Sequence, residues 1–189
     1  MSALPPLSSS SQPKVGWNTY RNRKFDFTLQ YPPGFELVVG PLAEDVSQPF
    51  WEDENDEVIV NVSSTMPGNA ESGTLDIIVH NKDSTSTDEY GDAPGFWSIP
   101  LQVLMSKIQS LTATDNLAAP RVTIVGGETA YEFTLNNGIV GWNGLGEVLG
   151  GENLWIFMQA KNSVLEITLP DTPTFKDILE TLKFTESDN

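Results

Sequence analysis

The sequence predicts an α+β protein built on a mainly antiparallel sheet. Two observations carry this: several short runs alternate apolar and polar residues between turn signals, and two separate stretches carry apolar residues at three- and four-residue spacing. A third sets the scale. A chain of 189 residues, 39% hydrophobic and 10% aromatic, is long enough for one buried core and too apolar for a disordered polymer.

The first sixteen residues, Met1 to Gly16, hold Pro5-Pro6 and the run Ser8 to Ser11 and are expected to form a flexible leader. The rest, 17–189, is expected to be a single domain. No stretch approaches the ~20 apolar residues that a membrane span needs. The leader therefore suits either a tether behind an anchor outside this sequence or the ordinary terminus of a cytosolic protein.

From Trp17 onward, packing residues appear. Phe25, Phe27, Leu29 and Tyr31 alternate with Asp26, Thr28 and Gln30, which predicts a strand with one buried and one wet face. Trp17 to Tyr20 is its expected partner across Arg21-Asn22-Arg23-Lys24, and Pro32-Pro33-Gly34 ends it. Further strands are expected at Phe35 to Val39, around Val58, Val60 and Val62, and at Leu75 to Val79. Leu101, Leu104, Met105, Ile108 and Leu111 make one apolar stripe, so a helix is expected over Ile99 to Leu111, with Ser98 as N-cap and Pro100 in its first turn. Val122 to Val125 and Ala130 to Leu135 read as a hairpin across Gly126-Gly127. Leu154 to Met158 is apolar on both faces, as expected of a central strand, and Leu165, Ile167 and Leu169 alternate after Lys161-Asn162-Ser163. A second helix is expected after a Thr172 cap, with Pro173 in its first position and Phe175, Ile178, Leu179 and Leu182 on its buried face.

Three of these segments resemble one family. Tyr20-Arg21-Asn22-Arg23-Lys24-Phe25-Asp26-Phe27-Thr28-Leu29-Gln30-Tyr31-Pro32 resembles the opening motif of bacterial domains similar to PsbP. Val125-Gly126-Gly127-Glu128-Thr129-Ala130-Tyr131-Glu132-Phe133 resembles their central hairpin, and Thr174 to Thr185 their closing helix and tail. Phe25-Asp26 stands where Tyr-Gly is common, Leu182 where Phe is usual, and Leu42 to Asp56 has no counterpart. The resemblance implies a Mog1/PsbP-like α/β/α sandwich, an antiparallel sheet with helices on both faces. It also implies a mostly non-enzymatic group of accessory proteins, many of them secreted or lipid-anchored, with no catalytic residue to carry over.

Composition excludes several chemistries. Without cysteine the chain has no disulfide, thiolate nucleophile or sulfur-held metal, and one histidine rules out a site of two imidazoles. A net charge of −16 speaks against a nucleic-acid surface. The charge is unevenly placed: from Phe25 to Asn81 there is no Lys or Arg and there are eleven acids. Seven of those fall in fourteen residues, Glu44, Asp45, Glu52, Asp53, Glu54, Asp56 and Glu57, around Phe50 and Trp51. This segment is the expected contact surface for a protein partner with a basic surface, since carboxylates steer cations and aromatics anchor interfaces. A solvated loop and a calcium site are its other readings, although no EF-hand register is present. No cofactor is expected otherwise.

His80 ends a strand and is expected at the surface, with no acid or nucleophile assignable to it by spacing. Ile124-Val125-Gly126-Gly127 imitates a protease start but lacks a following nucleophile motif. The glycine-dense Gly141 to Gly151 is expected to be a strand connection, not a phosphate loop. Asn61-Val62-Ser63, a glycosylation sequon in spelling, is expected to sit unused in a strand. The function expected from all this is a non-catalytic binding or assembly module working outside the cytoplasm. The alternatives are a cofactor-free hydrolase using Asp53 and Asp56, and a cytosolic Mog1-like GTPase-binding protein.

Overall fold

The computed structural model describes residues 13–23, 25–40, 58–64, 73–81, 98–111, 119–136, 139–140, 147–148, 152–160 and 163–185. Its strands are β1 (Asn18–Asn22), β2 (Phe27–Tyr31), β3 (Phe35–Val39), β4 (Val58–Ser64) and β5 (Thr74–Asn81). After helix α1 (Leu101–Leu111) come β6 (Arg121–Val125), β7 (Glu128–Asn136), β8 (Ile139–Val140), β9 (Glu147–Val148), β10 (Glu152–Ala160) and β11 (Ser163–Pro170). Helix α2 (Pro173–Leu179) and β12 (Lys183–Phe184) close the described chain. Seven strands form the main sheet in the order β3-β4-β5-β11-β10-β7-β6; β1-β2-β12 form a second sheet, and β8-β9 a short ladder. Every ladder among them is antiparallel, in keeping with the α+β class that the alternating runs predict.

Side-chain alternation sorts the core into two clusters. Leu154, Ile156 and Met158 of β10 pack with Leu165, Ile167 and Leu169 of β11, with Phe175, Ile178 and Leu179 of α2, and with Phe27 and Leu29 of β2. Trp155 and Phe157 of the same β10 join Phe133, Val164 and the α1 residues Leu104 and Met105. β10 is therefore buried on both faces, as its unbroken apolar run requires. Phe133 lies edge-on to Phe157, with ring centroids 6.3 Å apart, and Trp155 tilts over Phe157 at 4.8 Å.

Local signals are mostly obeyed, with instructive shifts. The first hairpin turns later than expected: β1 runs to Asn22, whose side-chain Oδ1 accepts the Phe25 amide at 3.1 Å, and Asp26 takes φ 52°. That left-handed conformation is natural to glycine and tolerable for Asp, so the departure from the Tyr-Gly motif falls on a residue that can still make the turn. The Asp26 carbonyl then accepts the Thr185 amide at 2.7 Å, tying the end of the described chain to its beginning. The α1 cap also moves: the Pro100 carbonyl, not Ser98, stands at the helix start and accepts the Leu104 amide at 3.0 Å. Thr172 is placed at the N-cap of α2, but its hydroxyl makes no cap bond and is buried without a partner. Pro173 and the burial of Phe175, Ile178 and Leu179 hold that helix instead. Thr181 ties α2 back to β2, accepting the Gln30 amide at 2.7 Å. Lys14, within the expected leader, is in contact with Asp177 at 3.1 Å and lies 4.4 Å from the Trp17 ring centroid. Burial holds the Tyr20 hydroxyl pKa above its ordinary value, against a lowering by the Asn22 amide that donates to it.

At the β6–β7 turn Gly126 and Gly127 have φ 61° and 92°, the pattern of a two-residue hairpin with both central residues left-handed. A Cβ on Gly126 would stand 3.0 Å from the Leu182 carbonyl oxygen, whereas one on Gly127 would meet open space. Gly127→Ala is expected to cost about 1–2 kcal/mol, the left-handed penalty alone. Gly126→Ala should cost measurably more, read as a larger drop in the urea midpoint at unchanged m-value; equal effects would show that the close approach to Leu182 has no energetic weight.

Candidate functional site

Polar side chains in a strand that is buried on both faces must bond to each other, because water cannot reach them. On the α1 face of the main sheet three such groups meet across three neighbouring strands. Glu166 of β11 lies opposite Ile78 of β5 and Phe157 of β10. Its partners are the diagonal neighbours on either side, which are within reach of long side chains. The indole N–H of Trp155 donates to Glu166 Oε1 at 2.7 Å, and His80 Nε2 lies 2.8 Å from Oε2, donating when it carries the ring hydrogen. His80 and Glu166 are each 6% exposed and Trp155 1%. Next to this cluster, Asn61 of β4 donates its side-chain amide to Asp76 of β5 at 2.8 Å.

The expectation that His80 sits at the surface is thus corrected. β11 pairs with β5 as far as His80 and Asn81, so the strand end stays beside a neighbour, and the histidine is buried next to an acid 86 residues further along the chain. Spacing could not reveal that pair. One clue was available: the all-apolar run Leu154 to Met158 implies that both faces of β10 are covered. The strand hydrogen-bonded to it would share that cover, so Glu166 could not remain on a wet face.

An imidazole oriented by a carboxylate is half of a general-base apparatus. Here both carboxylate oxygens of Glu166 are occupied, one by His80 and one by Trp155, and Trp155 belongs to the aromatic cluster that Leu104 and Met105 of α1 join. Among the described residues no group of three or more His, Asp or Glu is placed to hold a metal ion.

The other sequence expectations fall differently. Glu44, Asp45, Phe50, Trp51, Glu52, Asp53, Glu54, Asp56 and Glu57 lie outside the described residues. Of the segment Gly141 to Gly151, Glu147 and Val148 are described, and they form β9 against Ile139 and Val140, so part of that segment is itself strand. Asn61, the sequon asparagine, lies in β4 with its amide engaged by Asp76. A second buried acid appears that spacing did not flag: Glu132 of β7, 8% exposed, accepts from Arg121 of the neighbouring β6 at 2.6 Å. No helix among the described residues is long and apolar enough to cross a membrane.

No family model matches the chain, and no curated protein matches it. Among solved structures, that of cyanobacterial PsbP (CyanoP) from Synechocystis sp. is similar over 98% of this chain and 99% of that one, at 13% sequence identity and a TM-score of 0.46. PsbP is also the family that the opening, central and closing motifs resemble.

Glu166→Leu is expected to lower stability by about 2–3 kcal/mol, since it strands the Trp155 and His80 nitrogens without a buried acceptor. Glu166→Gln, which keeps an oxygen for Trp155 and an amide for the imidazole, should cost less than half of that. Urea unfolding followed by tryptophan fluorescence checks both, and equal losses would show that volume, not hydrogen bonding, sets the penalty.

Proposed function

We propose that this protein is a non-catalytic binding or assembly module of the Mog1/PsbP-like α/β/α type, working outside the cytoplasm and meeting a basic protein partner through the acidic segment Glu44 to Glu57. One observation carries the choice of binding over catalysis. The histidine of the chain, its most versatile catalytic group, is buried and bonded to one oxygen of Glu166, whose other oxygen holds the Trp155 indole. The layered architecture is supported by the way the two faces of β10 are divided: α1 side chains pack with Trp155 and Phe157, α2 side chains with Ile156 and Met158. The acidic segment is favoured by charge placement, seven acids and no base within fourteen residues, around the aromatic pair Phe50-Trp51. In this reading the segment contacts protein and needs no cofactor or calcium.

The test places a photo-crosslinking amino acid at Trp51 of the full chain in cells of its source. A discrete protein adduct is expected. It should fade when Glu52, Asp53, Glu54, Asp56 and Glu57 are all replaced by their amides. In cell extract it should weaken as ionic strength rises from about 0.01 to 0.15 M, which shortens the screening length from about 30 to 8 Å. An adduct indifferent to both changes would overturn the electrostatic contact.

A further inference from the structure

We infer that the edge of the main sheet at β6, with the hollow that neighbouring β7 forms with β10 and the first turn of α1, receives an extended basic segment of a partner protein as an added strand. The inference rests on the binding-module reading but uses residues other than the acidic segment. β6 is the last strand in the sheet order and, among the described strands, pairs with β7 alone. Native sheets guard such edges with charges, prolines or covering chain, because an open edge invites another strand. This edge instead exposes Val122 and Ile124, at 63% and 55%. Its charged member, Arg121, alternates to the opposite face and is joined to Glu132.

Val122 and Ile124 lie opposite Tyr131 and Thr129, which puts them on the α1 face, one strand away from a hollow of about 400 Å³ that those two β7 residues help to line. Leu101, Glu128, Thr129, Tyr131 and Gln159 line it. These walls offer an apolar side chain, a phenol ring, a hydroxyl, an amide and one carboxylate, with no cation among them. That is the chemistry for a lysine or arginine side chain: its methylene stem lies along Leu101 and Tyr131 while the charged head meets Glu128 and the neutral acceptors. A strand added to β6 contributes backbone hydrogen bonds for affinity, and its alternate side chains reach this face for specificity. Charge selects the occupant. A second copy would bring another −16 to the same edge and be repelled, whereas a segment alternating basic and β-branched residues is drawn in by the field of the whole chain.

The probe is a capped peptide of alternating valine and lysine, with a valine–glutamate peptide of equal length as control. The lysine peptide should shift amide resonances of residues 121–131 and 159 in the isotope-labelled full chain, and the control should not. Glu128→Gln is expected to weaken binding about threefold, as for an exposed ion pair. The double substitution V122K/I124K should weaken it about tenfold or more by removing the apolar edge. Both positions are exposed, so the variant should keep the native dispersion of its spectrum, which is checked first. Equal binding of the two peptides, no binding of either, unchanged affinity in both variants, or self-association through β6 would each overturn the inference. Shifts confined to residues 44–57 would also overturn it, while leaving the proposed acidic contact standing.

Discussion

A carboxylate placed in the middle of a seven-stranded sheet is the constraint on which this structure turns. Removing Glu166 from water costs far more than any single contact returns, unless both of its oxygens are met by donors. They are met by groups from the two flanking strands, Trp155 on β10 and His80 on β5. The bonds hold only if β5, β11 and β10 keep their register. A slip of one residue would turn each side chain to the other face, leaving the acid among the aliphatic residues that pack on α2. The polar cluster thus specifies the centre of the sheet while the aliphatic face supplies most of the burial.

From that centre the rest follows outward. β10, apolar from Leu154 to Met158, is buried on both faces: Trp155 and Phe157 share a cluster with Leu104 and Met105 of α1, and Leu154, Ile156 and Met158 share one with Phe175, Ile178 and Leu179 of α2. Gly126 of the hairpin turn lies close against Leu182 and Phe184, beyond the end of α2, and the turn closes the outermost strand pair. Glu166, His80 and Trp155 are occupied with one another, and the contacts proposed above use outer parts of the chain instead, the acid-rich segment and the β6 edge.

Much of the fold was legible because its signals are local. Phe27 and Leu29 alternate in two-residue steps and are buried, Gly126-Gly127 supplies the two left-handed positions of a tight hairpin, and Thr172-Pro173 marks the start of a helix. Where local reading went wrong, a neighbour distant in sequence had intervened. Alternation of Leu165, Ile167 and Leu169 implies a wet face between them, yet Glu166 is buried because α1 and the β10 aromatics cover that side. His80 reads as a strand-end surface residue until β11 arrives beside it.

By itself the sequence determined the class of fold, the approximate place of its turns and helices, and the lopsided charge, since each depends on residues within a few positions of one another. Only tertiary structure decided which polar residues became interior. It joined His80, Trp155 and Glu166, paired Arg121 with Glu132, and left Val122 and Ile124 bare at an edge. The physical reason is that burial belongs to a side chain's surroundings in space. Strand order brings those surroundings together from segments whose separation along the chain carries no trace of the meeting.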